Sequence, residues 1–112
     1  MNIIEFIKAI IDKTETKRVL WETVNNDSYR LIADIFTIMV SKKEISILPG
    51  STTYKLSILE GNQCIFEKTT EKSIATDSTL NLQIKSLYDA VSKVKTEELN
   101  NELSRIIELM DA

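Results

Sequence analysis

Apolar and polar residues alternate most regularly between positions 54 and 68. Tyr54, Leu56 and Ile58 are spaced by Lys55 and Ser57, the period of two that marks a strand with one buried face. Gly61-Asn62 follows, a pair that tolerates positive φ and so suits a two-residue hairpin turn. Beyond it Cys64 and Phe66 alternate with Gln63, Ile65 and Glu67. The pattern predicts a second strand with Cys64 and Phe66 turned inward, and Cys64 is expected to be a small core residue.

The start of the chain has a different period. Ile3, Ile4, Ile7, Ile10 and Ile11, with Phe6 beside them, form an apolar face at helical spacing, while Glu5, Lys8 and Asp12 fall away from it. Asn2 with Glu5 three residues on resembles a capping box. A helix over 3–13 is predicted. Residues 18–24 have strand composition, Asn25-Asn26-Asp27-Ser28 reads as a turn, and 29–35 and 36–41 read as two strands bending at Asp34. Ile45, Ser46 and Ile47 suggest a short extra strand before a turn at Pro49-Gly50.

Thr76, Asp77, Ser78 and Thr79 offer a choice of helix caps. Leu80, Ile84, Leu87, Tyr88, Val91 and Val94 then step by three or four. The stripe changes phase after Val94, because a continuous helix would bring Lys95 and Glu98 to the buried face. The later apolar set is Leu99, Leu103, Ile106, Ile107 and Met110. A break near Lys95-Thr96, with Thr96 capping a fresh helix, is therefore expected; one long helix is the alternative. The fold class is α+β: an antiparallel meander of about four to six strands, an N-terminal helix and two C-terminal helices, forming a single domain over 1–112.

The alternation also puts apolar residues on the wrong side of the sheet. If Ile38, Val40, Leu56, Ile58 and Phe66 point to one core, then Ile32, Met39, Leu59 and Ile65 point away from it. Four large apolar residues exceed scattered exposure and mark a face covered by the chain's own helices or by another chain. These four, with Trp21, are the candidate partner-binding residues. For Trp21 a place in the core is the competing and favoured reading, since tryptophan is well buried on average although enriched at interface hot spots.

Composition narrows the chemistry. The chain has no histidine and one cysteine, which excludes Cys/His zinc sites and any intrachain disulfide, and removes the commonest general base. Two glycines cannot build a dinucleotide or phosphate loop. The carboxylates Glu97, Glu98, Glu102, Glu108 and Asp111 have no calcium-loop spacing and read as a solvated helix face. A net charge of −3 and few aromatics argue against nucleic acid. No apolar run reaches the roughly 20 residues that span a bilayer. Glu5 and Lys8 interrupt the first apolar segment, which lacks a basic leader, so a cytoplasmic location is expected. No catalytic residue, cofactor or metal is assigned.

Val19-Leu20-Trp21-Glu22-Thr23, Tyr29-Arg30, the strand and turn over 54–62 and Leu87-Tyr88-Asp89-Ala90 follow one another in a layout that resembles small uncharacterised bacterial and prophage proteins. The resemblance implies a cytosolic protein of bacterial or phage origin and carries over no functional residue. The expectation is a non-catalytic protein-interaction module of the inhibitor, immunity or chaperone-like adaptor kind. Its partner would be another protein or a second copy in a homodimer. The alternative is a small enzyme or ligand-binding domain relying on carboxylates, lysines and hydroxyls.

Overall fold

The computed structural model describes residues 1–44, 52–70 and 79–111. The elements run α1 (Ile3–Glu15), β1 (Glu22–Asn25), β2 (Ser28–Ala33), β3 (Phe36–Glu44), β4 (Thr52–Glu60), β5 (Gln63–Thr69) and α2 (Thr79–Met110). The strands pair antiparallel in chain order, β1-β2-β3-β4-β5, as short connections require. The fold is thus the expected α+β meander. The expected strand at Ile45–Ile47, the turn at Pro49-Gly50 and three of the cap candidates before Thr79 lie outside the described residues.

Local chemistry sets the boundaries. The Asn2 side chain accepts from the Glu5 N–H at 2.9 Å and its amide donates to the Glu5 carboxylate at 3.0 Å, a variant of the predicted box. At the other end of α1 the Lys17 N–H bonds the Thr14 carbonyl and the Arg18 N–H bonds the Lys13 carbonyl at 2.8 Å. That pair of bonds needs a left-handed residue between them, and Lys17 supplies it with φ 57°. Asp34 takes the same φ in the turn between β2 and β3, and Gly61 has φ 58° between β4 and β5. Both hairpins close over two residues, pairing Ala33 with Phe36 and Glu60 with Gln63.

Both helices lie on one face of the sheet. Ile7 and Ile10 of α1 and Ile84, Leu87, Tyr88 and Val91 of α2 form one buried cluster with Tyr29, Leu31, Ile38, Val40 and Leu56 of the strands. Trp21 enters the same cluster from the loop before β1, where residues expected to extend that strand lie outside it. Its indole N–H donates to Thr14 Oγ1 at 2.9 Å, and that hydroxyl donates onward to the Ile10 carbonyl at 2.7 Å. The tryptophan therefore joins α1 to the sheet with its polar atom satisfied.

Two expectations are corrected. The first is the pair of C-terminal helices: α2 is a single element of 32 residues, about 48 Å at 1.5 Å per residue. The phase change does not break the helix because the segment beyond Val94 has left the sheet and shares no core with the part before it. Lys95 and Glu98 form an ion pair at 3.1 Å, so neither needs burial. The Thr96 hydroxyl bonds back to the Ser92 carbonyl at 2.9 Å, the behaviour of a helix-interior threonine and not of a cap.

The second correction concerns Cys64, which is exposed. In β5 the register shifts between Ile58 and Leu59: Phe66 opposes Ile58, Cys64 opposes Leu59, and Ile65 is the extra residue. A bulge interrupts the period of two. It puts Cys64 and Phe66 on opposite faces, with the thiol beside the Glu67 carboxylate at 3.7 Å.

Candidate functional site

The helical layer covers the sheet unevenly. α2 packs over β3 and β4. At the other end of the strands, the hairpin turns after β2 and β4 lie beyond its reach, and α1 forms one wall of an open cleft of about 950 Å³. Phe6 projects from that wall, buried Ile10, Ile38 and Ile58 lie at the base, and exposed Ile65 and Leu20 stand at the margins. Lys13 and Arg18 stand at its rim, and no described lining residue carries a carboxylate. The cleft is an apolar trough with a basic edge.

The second unpartnered surface is the distal half of α2. From Thr96 onward every described residue is exposed. Among the described residues the outermost ion pair to the body is a long one, Lys17 to Glu97 at 3.9 Å, in which both side chains are wet. Leu99, Leu103, Ile106, Ile107, Leu109 and Met110 are 48–74% exposed. At 100° per residue they span an arc of about 160°, interrupted near one edge by Glu102, which lies between Leu109 and Ile106. The outer arc carries Glu97, Glu98, Arg105, Glu108 and Asp111.

The residues singled out from sequence separate into three environments. Ile32, Met39 and Leu59 share the face away from the helices, together with Arg30, Ser57 and Glu67, and Ile32 also borders the cleft. No described helix covers that face. Ile32 is 52% exposed and Met39 and Leu59 are half-buried. Ion pairs between Glu22 and Arg30 and between Lys55 and Glu67, each at 2.7 Å, border them. The Lys55 bond holds the Glu67 carboxyl below the usual carboxylate range. Ile65 has left this face through the bulge and lies in the cleft. Trp21 is 3% exposed, a core position. Sequence reasoning missed Phe6, Leu20 and Phe36 as surface-forming residues; the isolated apolar Leu20 before Trp21 was the available signal.

One cluster of titratable groups lies at the end of the sheet beneath α2. Tyr88 sits between Tyr29 and Tyr54, with ring centroids 5.6 and 5.4 Å away, and Lys42 Nζ lies 5.8 Å from its ring centroid. Burial pushes the Tyr88 phenol up to about 12, helped by Tyr29 and Asp27. Burial also raises Tyr54, with Asp89 and Glu44 adding to it. Burial holds these phenols neutral near pH 7, where they can donate a hydrogen bond but do not act as nucleophiles or bases. Raised phenol values stabilise the fold fully below the unfolded value of 10.0, and that contribution is lost as pH rises towards about 12. The denaturation midpoint, followed by circular dichroism, is therefore expected to fall across that window, and Tyr88→Phe should flatten the fall. A variant curve parallel to wild type throughout would refute the assignment.

Among the described residues no three acidic or sulfur side chains are grouped to hold a metal ion, and no helix is long and apolar enough to cross a membrane. No protein-family model, curated protein or solved structure matches the chain.

Proposed function

We infer that this chain is a non-catalytic protein-interaction module, in the class of inhibitors, immunity proteins and adaptors, whose work is done by apolar surface that its own fold leaves uncovered. The observation that carries the reading is the distal half of α2: six large apolar side chains lie on a helix that stands clear of the body. Such a stripe is maintained at a cost to solubility and contributes nothing to this domain's core, which favours a use in contact with another polypeptide. The open face bearing Ile32, Met39 and Leu59 is a lesser candidate because two of its three apolar residues are already half-covered. A bacterial or phage origin, and a cytoplasmic site of action, rest on the resemblance alone.

The cleft favours a second reading, a binding site for a small amphipathic anion whose tail would lie on Ile38 and Ile58 and whose head would meet Lys13 and Arg18. One experiment separates the two. A photoreactive residue at position 106 of the full chain, irradiated in the cells that produce it, is expected to yield covalent adducts with protein, while one at position 101 on the outer arc yields none. Absence of any protein adduct, with a fatty-acid-sized mass retained in the native mass spectrum, would overturn the interaction reading in favour of the ligand.

A further inference from the structure

We propose that the distal half of α2 docks into the cleft of a second copy of this chain, and that the exchange is reciprocal, giving a two-fold dimer in which each tail completes the other's helical layer. This deepens the interaction reading and rests on it. A simple helix pair would bury only the seam formed by Leu99, Leu103, Ile106 and Met110, leaving Ile107 on one flank and Leu109, beyond Glu102, on the other without a wall. The cleft offers two walls, the flank of α1 at Phe6 and the exposed strand residues Phe36 and Ile65, over a base of buried Ile38 and Ile58. It lies where one more helix would complete the layer over β2 to β5. Those four strands span about 14 Å, and the 16 residues from Thr96 to Asp111 reach about 24 Å, enough to cross them.

The tail carries five carboxylates, Glu97, Glu98, Glu102, Glu108 and Asp111, against one cation, Arg105. The cleft rim has the opposite sign, with Lys13 and Arg18 and no lining carboxylate among the described residues. The last turn of α2 has no basic residue, so its carbonyl dipole is uncompensated within the chain. Docking at Lys13 and Arg18 would compensate it. Tail-to-tail pairing would instead bring two acidic segments together.

One helix face of this length on one surface falls well short of the roughly 800 Å² per partner that stable complexes bury. Reciprocal exchange doubles the contact and closes the symmetry, so assembly stops at two.

Light scattering coupled to size-exclusion chromatography tests the proposal on the full chain. Wild type is expected to be a dimer at micromolar concentrations. Leu103→Glu/Ile106→Glu on the tail and Leu20→Glu/Ile65→Glu in the cleft should each give a folded monomer, since all four positions are 48–77% exposed. Unchanged circular dichroism and melting at low concentration establish that both variants fold. Mixing the two monomers should restore a weaker heterodimer, because one intact tail still meets one intact cleft. Lys13→Glu/Arg18→Glu should raise the dissociation constant at least tenfold, with a smaller effect at high salt. A wild type that stays monomeric overturns the proposal, and so does a cleft variant that still dimerises, which would mean tail-to-tail or open-face pairing. Wild-type monomers that nevertheless give adducts with a different protein at position 106 would end the self-docking idea while leaving the interaction reading intact.

Discussion

Replacing Trp21 by alanine should destabilise the fold by about 3–5 kcal/mol, the range for removing a large buried aromatic side chain. Domains of this size have total stabilities of about 5–15 kcal/mol, so the variant is expected to be marginal at 37 °C. Two losses combine. The indole fills the junction of α1 and the sheet, and its N–H holds the Thr14 hydroxyl, which in turn bonds the Ile10 carbonyl. Thr14→Val isolates the second loss by removing the acceptor and leaving the buried N–H unpaired, at about 1–3 kcal/mol. Urea titrations of both single variants and the double variant measure the coupling. If Trp21→Ala costs less than about 1 kcal/mol, Trp21 is not the strut described here and its exposure to a partner must be reconsidered.

Leu56→Ala should cost about 2–5 kcal/mol. Leu56 is 0% exposed, pairs with Val40 on β3, and lies under α2. The informative comparison is Ile106→Ala, an equally apolar residue on the distal half of α2. Measured by thermal melting where the chain is monomeric, that change should stay within about 0.5 kcal/mol of wild type, because the side chain touches no core. At concentrations favouring the dimer the same variant should lose stability through mass action alone. Equal costs for Leu56→Ala and Ile106→Ala in the monomer would show that the tail folds back onto the body in solution.

How far the sequence could be read depends on how local the cause is. Asn2 with Glu5, the Gly61-Asn62 turn and the alternation in β4 are set by neighbours within a few residues, and each appears as written. Asp34 marks the β2–β3 turn for the same reason. The stripe from Leu80 to Val91 was legible because burial follows the helical period. The bulge at Ile65 was not: an inserted residue is visible only through the partner strand, and one extra residue exchanges the faces of everything on one side of it. That exchange misplaced Cys64 and moved Ile65 from the open face to the cleft.

The tail departs from expectation for a related reason. Leu99 to Met110 have the spacing of a buried helix, but turning them onto this chain's own core requires a break near Lys95-Thr96 that α2 does not have. Periodicity reports that a face is meant to be covered and is silent on which molecule covers it. The cleft was invisible for the complementary reason, since its residues come from α1, the segment before Trp21 and four strands. Only the folded backbone assembles them.

The unbroken course of α2 through Lys95 and Thr96 has a mechanical consequence. A rod anchored along half its length behaves as a lever. Whatever grips the far end fixes both the distance and the attitude of the β-sheet domain, without the swing a flexible tether would allow. Glycine substituted at Thr96 would soften that joint, separating the strength of the grip from the orientation it imposes.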